Sequence, residues 1–514
     1  MMSLRTLLQT GCLLGLPTLV LVAAESSSSP SVISLAEAIE LTLAQQPGIE
    51  ISRLEIVSSE GELQQARGQF DWVLGGEVSD EVSRTPTGVP SPLPTEQRQD
   101  IAIMGLGVAK QLRNGVVVSP QVSVVDIKDS LSSPIPASRS DVRVTVTVPL
   151  LRGRGVASTG ALEQAAKIQV EAQQHLARAQ LEQFVYQTTV AYWNCLAAQY
   201  DRDILADSAA RASSILHFVD LLAQGGELDA STQGQARALV ADRQARSAEG
   251  ELVYYQSRIA LALAMGYSPE QMENAPLVEG EFPGTVDPAL VSRTMGHKFV
   301  HEALQRRGDH LAAGLSANAE EALLLRARRD LKPRVDLEMS VGYAGYDDRR
   351  SNLRPLRSLG GDLSGPSAIG ALSFEWPMPN NSARGELLSQ RAETEQARLS
   401  AIRSANLVSS GVLNSLEALR RAIEQFQFSD QAVQLYEETV VQTNNKMKAG
   451  EAPFTELIDV EDRYAEARRA RIDTMRRYTI ALAQLRLNTG SLSSLADDRA
   501  VFQIEDFITV PFAP

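Results

Sequence analysis

Three stretches of this chain alternate apolar and polar residues one by one. Val335, Leu337, Met339, Val341 and Tyr343 are separated by Asp336, Glu338 and Ser340. Gly370, Leu372, Phe374 and Trp376 alternate with Ala371, Ser373 and Glu375, and Val142, Val144, Val146 and Val148 with Arg143, Thr145 and Thr147. A period of two predicts strands with one greasy face. Elsewhere the period lengthens. Steps of three and four from Leu162 reach Ala165, Gln169, Ala172, Leu176, Ala179, Gln183, Tyr186, Val190, Trp193, Ala197 and Tyr200, an Ala-rich seam of coiled-coil type.

Proline placement sets the lengths. None falls between Pro149 and Pro269, or between Pro379 and Pro453, and proline costs about 3 kcal/mol inside a helix. Residues 158–224 therefore predict one helix on the order of 100 Å long at ~1.5 Å per residue. Gly225-Gly226 stops it, and a second helix follows from about Asp229 to Met265. The pattern returns from about Ala383, with a stop at Gly450, Pro453 at a first-turn position, and helix to Asn488. A helix of that length cannot be the core of a globule.

The chain is written twice. Gly226-Glu227 recurs as Gly450-Glu451 and Gly266 as Gly490, both offset by 224, with Tyr254 opposite Tyr478. Val148-Pro149-Leu150 matches Trp376-Pro377-Met378 at offset 228, and Ala66-Arg67 matches Ala327-Arg328 at 261. The first copy thus holds about 33 extra residues (261 − 228) in its strand region. These read as another hairpin, Asp100–Leu112 and Val116–Ile127 around an Asn114-Gly115 two-residue turn. Flanking loops at 84–99 and 129–139 carry Pro86, Pro90, Pro92, Pro94, Pro134 and Pro136. Short turns on one side and long loops on the other are the outer-membrane barrel pattern, in which a strand needs ~9–11 residues to span. The second half predicts two strands, 334–346 and 367–378, so four to six per chain, because the Asn-Gly hairpin could instead fold into an outer loop.

At the N-terminus, Arg5, the apolar run from Leu7 to Val22 and Val22-Ala23-Ala24 read as a secretory signal peptide over residues 1–24. Cys12 follows Gly11, but Gln9 and the apolar run beyond it disfavour lipidation there. The mature chain keeps only Cys195, which excludes an internal disulfide. The net charge of −14 argues against a nucleic-acid partner. The expected organisation is N-terminal helices over 25–69, a first strand region over 70–150, and a first helical hairpin over 151–265. An equatorial linker follows over 266–298, then a helix over 299–331, a second strand region over 332–378, a second hairpin over 379–490 and an equatorial tail over 491–514.

This set of features resembles the TolC family of outer-membrane efflux proteins. The resemblance rests on Ser34-Leu35-Ala36-Glu37-Ala38-Ile39 with Pro47 after it, on Val148-Pro149-Leu150-Leu151-Arg152-Gly153, and on the duplicated helix–glycine turn–helix. It implies a mainly α fold with a transmembrane β-barrel portion: a homotrimer in the outer membrane of a Gram-negative bacterium, continued by a helical tube into the periplasm. It also implies a lower end that closes like an iris, a periplasmic adaptor, and an inner-membrane pump of RND or ABC type. The usual member gives four strands, twelve per trimer; six here would give eighteen.

In the family's best-studied form the tip is held by a Tyr, an Arg and Asp residues around the glycine turns. Aligned on Gly450, Met447 replaces the Tyr and Ala452 the Arg, while Glu456 and Asp459 keep acidic character as a candidate lumen ring. Aligned on Gly226, Thr232 stands where an Asp would serve. Gly225, Gly226 and Gly450 are the expected periplasmic tip turns.

Catalytic chemistry is not written here. His175, His217, His297, His301 and His310 make no nucleophile–base pattern, and Arg152-Gly153-Arg154-Gly155 lacks the Lys-Ser/Thr of a phosphate loop. His297 and His301 sit four apart but read as a solvated helix face, and no cofactor motif is present. The expectation is a passive conduit. Its rivals are a secreted coiled-coil adhesin or rod and a periplasmic enzyme.

Overall fold

A computed structural model describes residues 31–86, 96–130, 133–225, 230–347, 357–360, 363–449, 451–496, 499–503 and 505–512. The expected leader, Cys12 included, lies outside them. Eight helices carry the argument: α1 (Leu35–Gln45), α2 (Pro47–Gly68), α3 (Ala161–Gln224), α4 (Ala230–Met265), α5 (Gly296–Arg306), α6 (Gly308–Asp330), α7 (Asn381–Lys448) and α8 (Phe454–Thr489). Six strands join them: β1 (Trp72–Pro86), β2 (Glu96–Gln111), β3 (Val117–Asp129), β4 (Ser133–Pro149), β5 (Arg334–Asp347) and β6 (Leu363–Glu375). They form one antiparallel sheet in sequence order. The fold is mainly helical with this sheet at one end. Among the described residues no helix is long and apolar enough to cross a membrane.

The helices are as long as the proline gaps predict. α3 runs 64 residues and α7 runs 68, each on the order of 100 Å. α3 pairs with α4 and α7 with α8 as two antiparallel hairpins. The single seam expected along α3 holds only in part: Ala165, Ala172, Trp193 and Ala197 are buried, but Leu162 and Gln183 are exposed. Between Val185 and Ala198 the helix is covered on nearly every side, because α1, α4, α8 and the Leu277–Val278 strand surround it there.

The duplication is visible in the packing. Tyr254 and Leu261 sit in one apolar cluster with α1 and α3, and their counterparts 224 residues on, Tyr478 and Leu485, sit in another with α5 and α7. Each buried Leu or Phe contributes roughly 1.5–3 kcal/mol, so these two clusters form a stiff equatorial belt.

The one helix expected over 299–331 is broken, at a place equivalent to the junction between the N-terminal helices. Gln46 (φ −67°, ψ 113°) separates α1 from α2, and Arg307 (φ −64°, ψ 114°) separates α5 from α6. Each break packs beside a glycine in the left-handed region. A Cβ on Gly266 would lie 2.7 Å from the Gln46 Cα, and one on Gly490 would lie 3.1 Å from the Arg307 nitrogen. The side chains then clamp across: Gln46 Nε2 donates to the Ala264 carbonyl at 2.8 Å, and Arg307 Nη1 to the Leu487 carbonyl at 3.0 Å.

Two further differences concern the strands. β4 begins at Ser133 and so takes in Pro134 and Pro136, expected as loop; proline's fixed φ is compatible with an extended edge, and a register shift between Ile127 and Asp129 accommodates the entry. The Asn114-Gly115 turn is a three-residue loop: Leu112 donates to the Val116 carbonyl at 2.8 Å, and Gly115 takes φ +95°.

Candidate channel wall and periplasmic arms

The sheet has two chemically distinct faces, and the register shows that the apolar one is continuous across all six strands. Leu74 pairs with Val108, Leu106 with Val122, Val122 with Val142, Val142 with Tyr343, and Leu337 with Leu372. Among the described residues this face is covered towards its outer end, where Ser358 lies over Gly345 in the Val124–Ser140–Gly345 row, and it is open elsewhere. Val78 is 80% exposed, Val341 64% and Leu372 66%. The opposite face carries Glu77, Ser79, Gln121, Ser123, Arg143, Thr145, Glu338 and Ser340 in the same rows. Strands of 13–17 residues exceed the ~9–11 needed to span a bilayer. Aqueous solvent would penalise such a face at about 25 cal/mol per Å², whereas lipid would not.

The strands meet the helices at a polar elbow. Arg113, in the β2–β3 turn, donates to Glu163 of α3 through Nε (2.7 Å) and Nη2 (2.8 Å), and Arg67 of α2 pairs with the same carboxylate at 3.4 Å. These partners hold the Glu163 carboxyl below the usual range, against the opposing effect of partial burial. Cations also lie over aromatic rings here, Lys110 on Trp72 and Arg113 on Phe70, both at 4.9 Å. On the polar side of this elbow a cavity of about 480 Å³ is lined by Arg152, Arg326, Asp330, Arg334, Asp336 and Glu375.

Below the equatorial belt the two hairpins meet mainly where α8 lies on α3, and the contact changes from apolar to ionic. Arg469 binds Asp201, Arg468 binds Asp207 (3.2 Å), Arg211 binds Glu461 (3.0 Å), and Arg243 of α4 binds Asp462. Two guanidinium groups lie over the Tyr464 ring, Arg468 at 5.7 Å and Arg211 at 6.0 Å. Partly exposed pairs of this kind contribute roughly 0–1 kcal/mol each and are screened by salt. The arms are therefore held together far more weakly than the belt above them. The sequence reading missed this seam, since its partners lie 219 to 268 residues apart in the chain and only the packing of α8 on α3 brings them together.

The residues singled out for the tip are placed as follows. Gly225 caps α3 with its N–H donated to the Leu221 and Ala223 carbonyls. Gly226 and Gly450 lie outside the described residues. Thr232 stands in the first turn of α4, Met447 is half-buried near the end of α7, and Ala452 is half-buried in the turn before α8. Glu456 and Asp459 are exposed on the first turns of α8, one turn apart, above the buried Leu457. Asp459 pairs with Arg463 of its own helix at 3.1 Å. Among the described residues no group of three or more His, Cys, Asp or Glu is placed to hold a metal, and His301 faces Gln305 at 3.1 Å.

An apolar-out sheet continued by helices ~100 Å long is the architecture of an outer-membrane channel protomer. Residues 299–491, from α5 to just past α8, match the family model described as outer membrane efflux protein, and the resemblance to TolC-type proteins stands. No curated relative matches the sequence. The CmeC outer-membrane channel of Campylobacter jejuni superposes with a TM-score of 0.66 at 13% identity, over 89% of this chain and 85% of that one. VceC from Vibrio cholerae gives 0.65 at 16% identity (89% and 96%), and the open-state MtrE channel of Neisseria gonorrhoeae gives 0.58 at 14% (89% and 88%). At these identities the likenesses establish the fold.

Proposed function

We propose that this chain is the outer-membrane channel of a Gram-negative tripartite export system, a passive conduit across outer membrane and periplasm. The observation that carries the proposal is the continuous apolar face of the six-stranded sheet, which has no soluble core to meet and is joined directly to the long helices.

One copy is not a finished pore. Among the described residues β1 and β6 each pair on one side only, and lipid leaves no unpaired backbone edge unpenalised. The helices at the same two borders expose apolar stripes, Ile51, Leu54 and Val57 on α2 against Leu388, Leu399 and Ile402 on α7. A head-to-tail ring in which each β1/α2 border meets the next copy's β6/α7 border satisfies both, and the family resemblance sets that ring at three. The arms reach down towards a periplasmic adaptor and an inner-membrane pump, which supplies the energy. The family that the chain resembles is one of passive channels, and the chain is read as such a conduit.

Fractionation tests this directly. The mature protein should be an outer-membrane, detergent-extracted, heat-modifiable trimer. The rival reading, a secreted coiled-coil rod or adhesin, requires a dispersed protein in the soluble fraction, and that result would overturn the proposal.

A further inference from the structure

We propose that the β2–β3 hairpin is built into the barrel wall, so that the assembled barrel has eighteen strands and a wider outer-membrane pore than the family's usual twelve. The inference rests on the trimeric channel reading above and adds a dimension to it.

Four observations place the hairpin. First, β2 and β3 pair along their lengths with β1 and β4, from Trp72–Lys110 to Pro86–Glu96 on one side and from Val117–Thr147 to Ile127–Ala137 on the other. Second, they continue the apolar face of the sheet in register, with Met104, Leu106, Val108 and Val122 in its rows; in the opposite rows Gln121 and Ser123 of β3 lie beside Gly107 and Gly105 of β2, and Ile101, Ile103, Val125 and Ile127 stand towards the outer end. A hairpin folded into an outer loop has no reason to keep that alternation in register with its neighbours. Third, its turn is bolted to the elbow beneath the sheet. Besides the Arg113–Glu163 pair, Thr159 Oγ1 donates to the Arg113 carbonyl at 2.5 Å and the Gly155 N–H to the Asn114 carbonyl at 2.9 Å. A Cβ on Gly115 would lie 2.1 Å from the Gly153 carbonyl oxygen, so the turn can approach this closely only as glycine.

Fourth, the topology tolerates the insertion. β1 and β4 run antiparallel with an antiparallel pair between them, so removing that pair would leave them able to join directly. Four strand ends per copy continue into helices (α2, α3, α6 and α7), and the remaining two are closed by the Arg113–Gly115 turn. The barrel therefore widens while the number of helices hung from it does not. Barrel diameter grows roughly linearly with strand number, which makes an eighteen-stranded wall about 1.5 times as wide as a twelve-stranded one. The polar cavity lined by Arg152, Arg326 and Arg334 lies where the wide wall steps in to the tube.

Electron microscopy of the full-length trimer in lipid nanodiscs counts the wall strands. Six per copy and eighteen in total are expected; four per copy, with residues 96–130 outside the wall, overturns the proposal. Thiol labelling gives a second reading, with little background from the fully buried Cys195. A membrane-impermeant maleimide should modify Gln121→Cys, on the polar face, and leave Val122→Cys, on the lipid face, unmodified. Equal labelling of both would place the hairpin in water and overturn the proposal. Should Gln121→Cys fail to assemble, Ser119→Cys and Ser123→Cys present the same face. A protein that forms no ring in the membrane fails the channel reading itself, an outcome these two measurements distinguish from a twelve-stranded ring.

Discussion

Arg469 of α8 holds Asp201 of α3 through two hydrogen bonds, Nε to Oδ1 at 2.5 Å and Nη2 to Oδ2 at 2.9 Å, across 268 residues of chain. The pair sits just below the equatorial belt and begins the ionic seam between the two hairpins. Reversing one partner, Asp201→Arg, should separate the arms with little loss of overall stability, because an exposed pair contributes at most about 1 kcal/mol. In planar bilayers the variant should show larger single-channel currents, with the increase enhanced at low salt and cancelled in the double variant Asp201→Arg/Arg469→Asp. Equal currents in all three proteins would remove the seam from any gating role.

Asp459 is exposed and pairs with Arg463 on its own helix. Charge reversal, Asp459→Lys, should lower cation selectivity and alter lumen conductance if the first turns of α8 line the lumen at the tip. Unchanged currents and reversal potential would place this carboxylate on the outer surface of the arms.

Gly115 is a backbone requirement. Gly115→Val adds both a forbidden Cβ contact with Gly153 and a β-branched residue at φ +95°, a conformation that costs roughly 1–3 kcal/mol for a non-glycine residue. The heat-modifiable trimer should fall in yield severalfold, whereas Gly61→Ala, whose Cβ would meet nothing within 4 Å, should leave the yield unchanged.

Glu182 of α3 is buried beside Ser493, which donates to it at 2.5 Å, with Arg178 at 3.5 Å. Burial raises its pKa, and the hydroxyl and the Arg178 charge offset this only in part. A carboxyl whose folded-state pKa lies above its unfolded value contributes stability at low pH and loses it as pH rises from the ordinary carboxylate range through the raised value. Glu182→Gln removes that ionisation. Thermal unfolding should therefore show the variant matching the parent in acid and exceeding it at neutral pH; a parent that gains on the variant as pH rises would reverse the assignment.

The large features were legible because they depend on local periodicity. The clean alternation at 142–148 and 335–343, the proline-free runs, and the 224-residue spacing of Gly266 and Gly490 each follow from constraints acting along the chain. What escaped depends on contacts across it. Pro47 marks the Gln46 break locally, because the residue before a proline is pushed to extended backbone, whereas no proline follows Arg307, where the turn packs against Gly490, far away in sequence. The strand through Pro134 and Pro136 was hidden because two prolines ordinarily signal a loop. Arg469, Arg468, Glu461 and Asp462 read as ordinary charges on a solvated face until α8 is laid on α3. Met447 and Ala452 stand where the family's Tyr and Arg would tie the tip, while the ion pairs that join the arms lie higher.

The claim on which the rest depends is that lipid covers the apolar face of the sheet. A nitroxide at Val144 and another at Thr145, neighbours on opposite faces of β4, read this by power-saturation spin resonance in reconstituted bilayers. The account predicts that the label at Val144 collides with dissolved oxygen and is shielded from a water-soluble nickel chelate, and that the label at Thr145 does the reverse. Nickel access at both positions would contradict it.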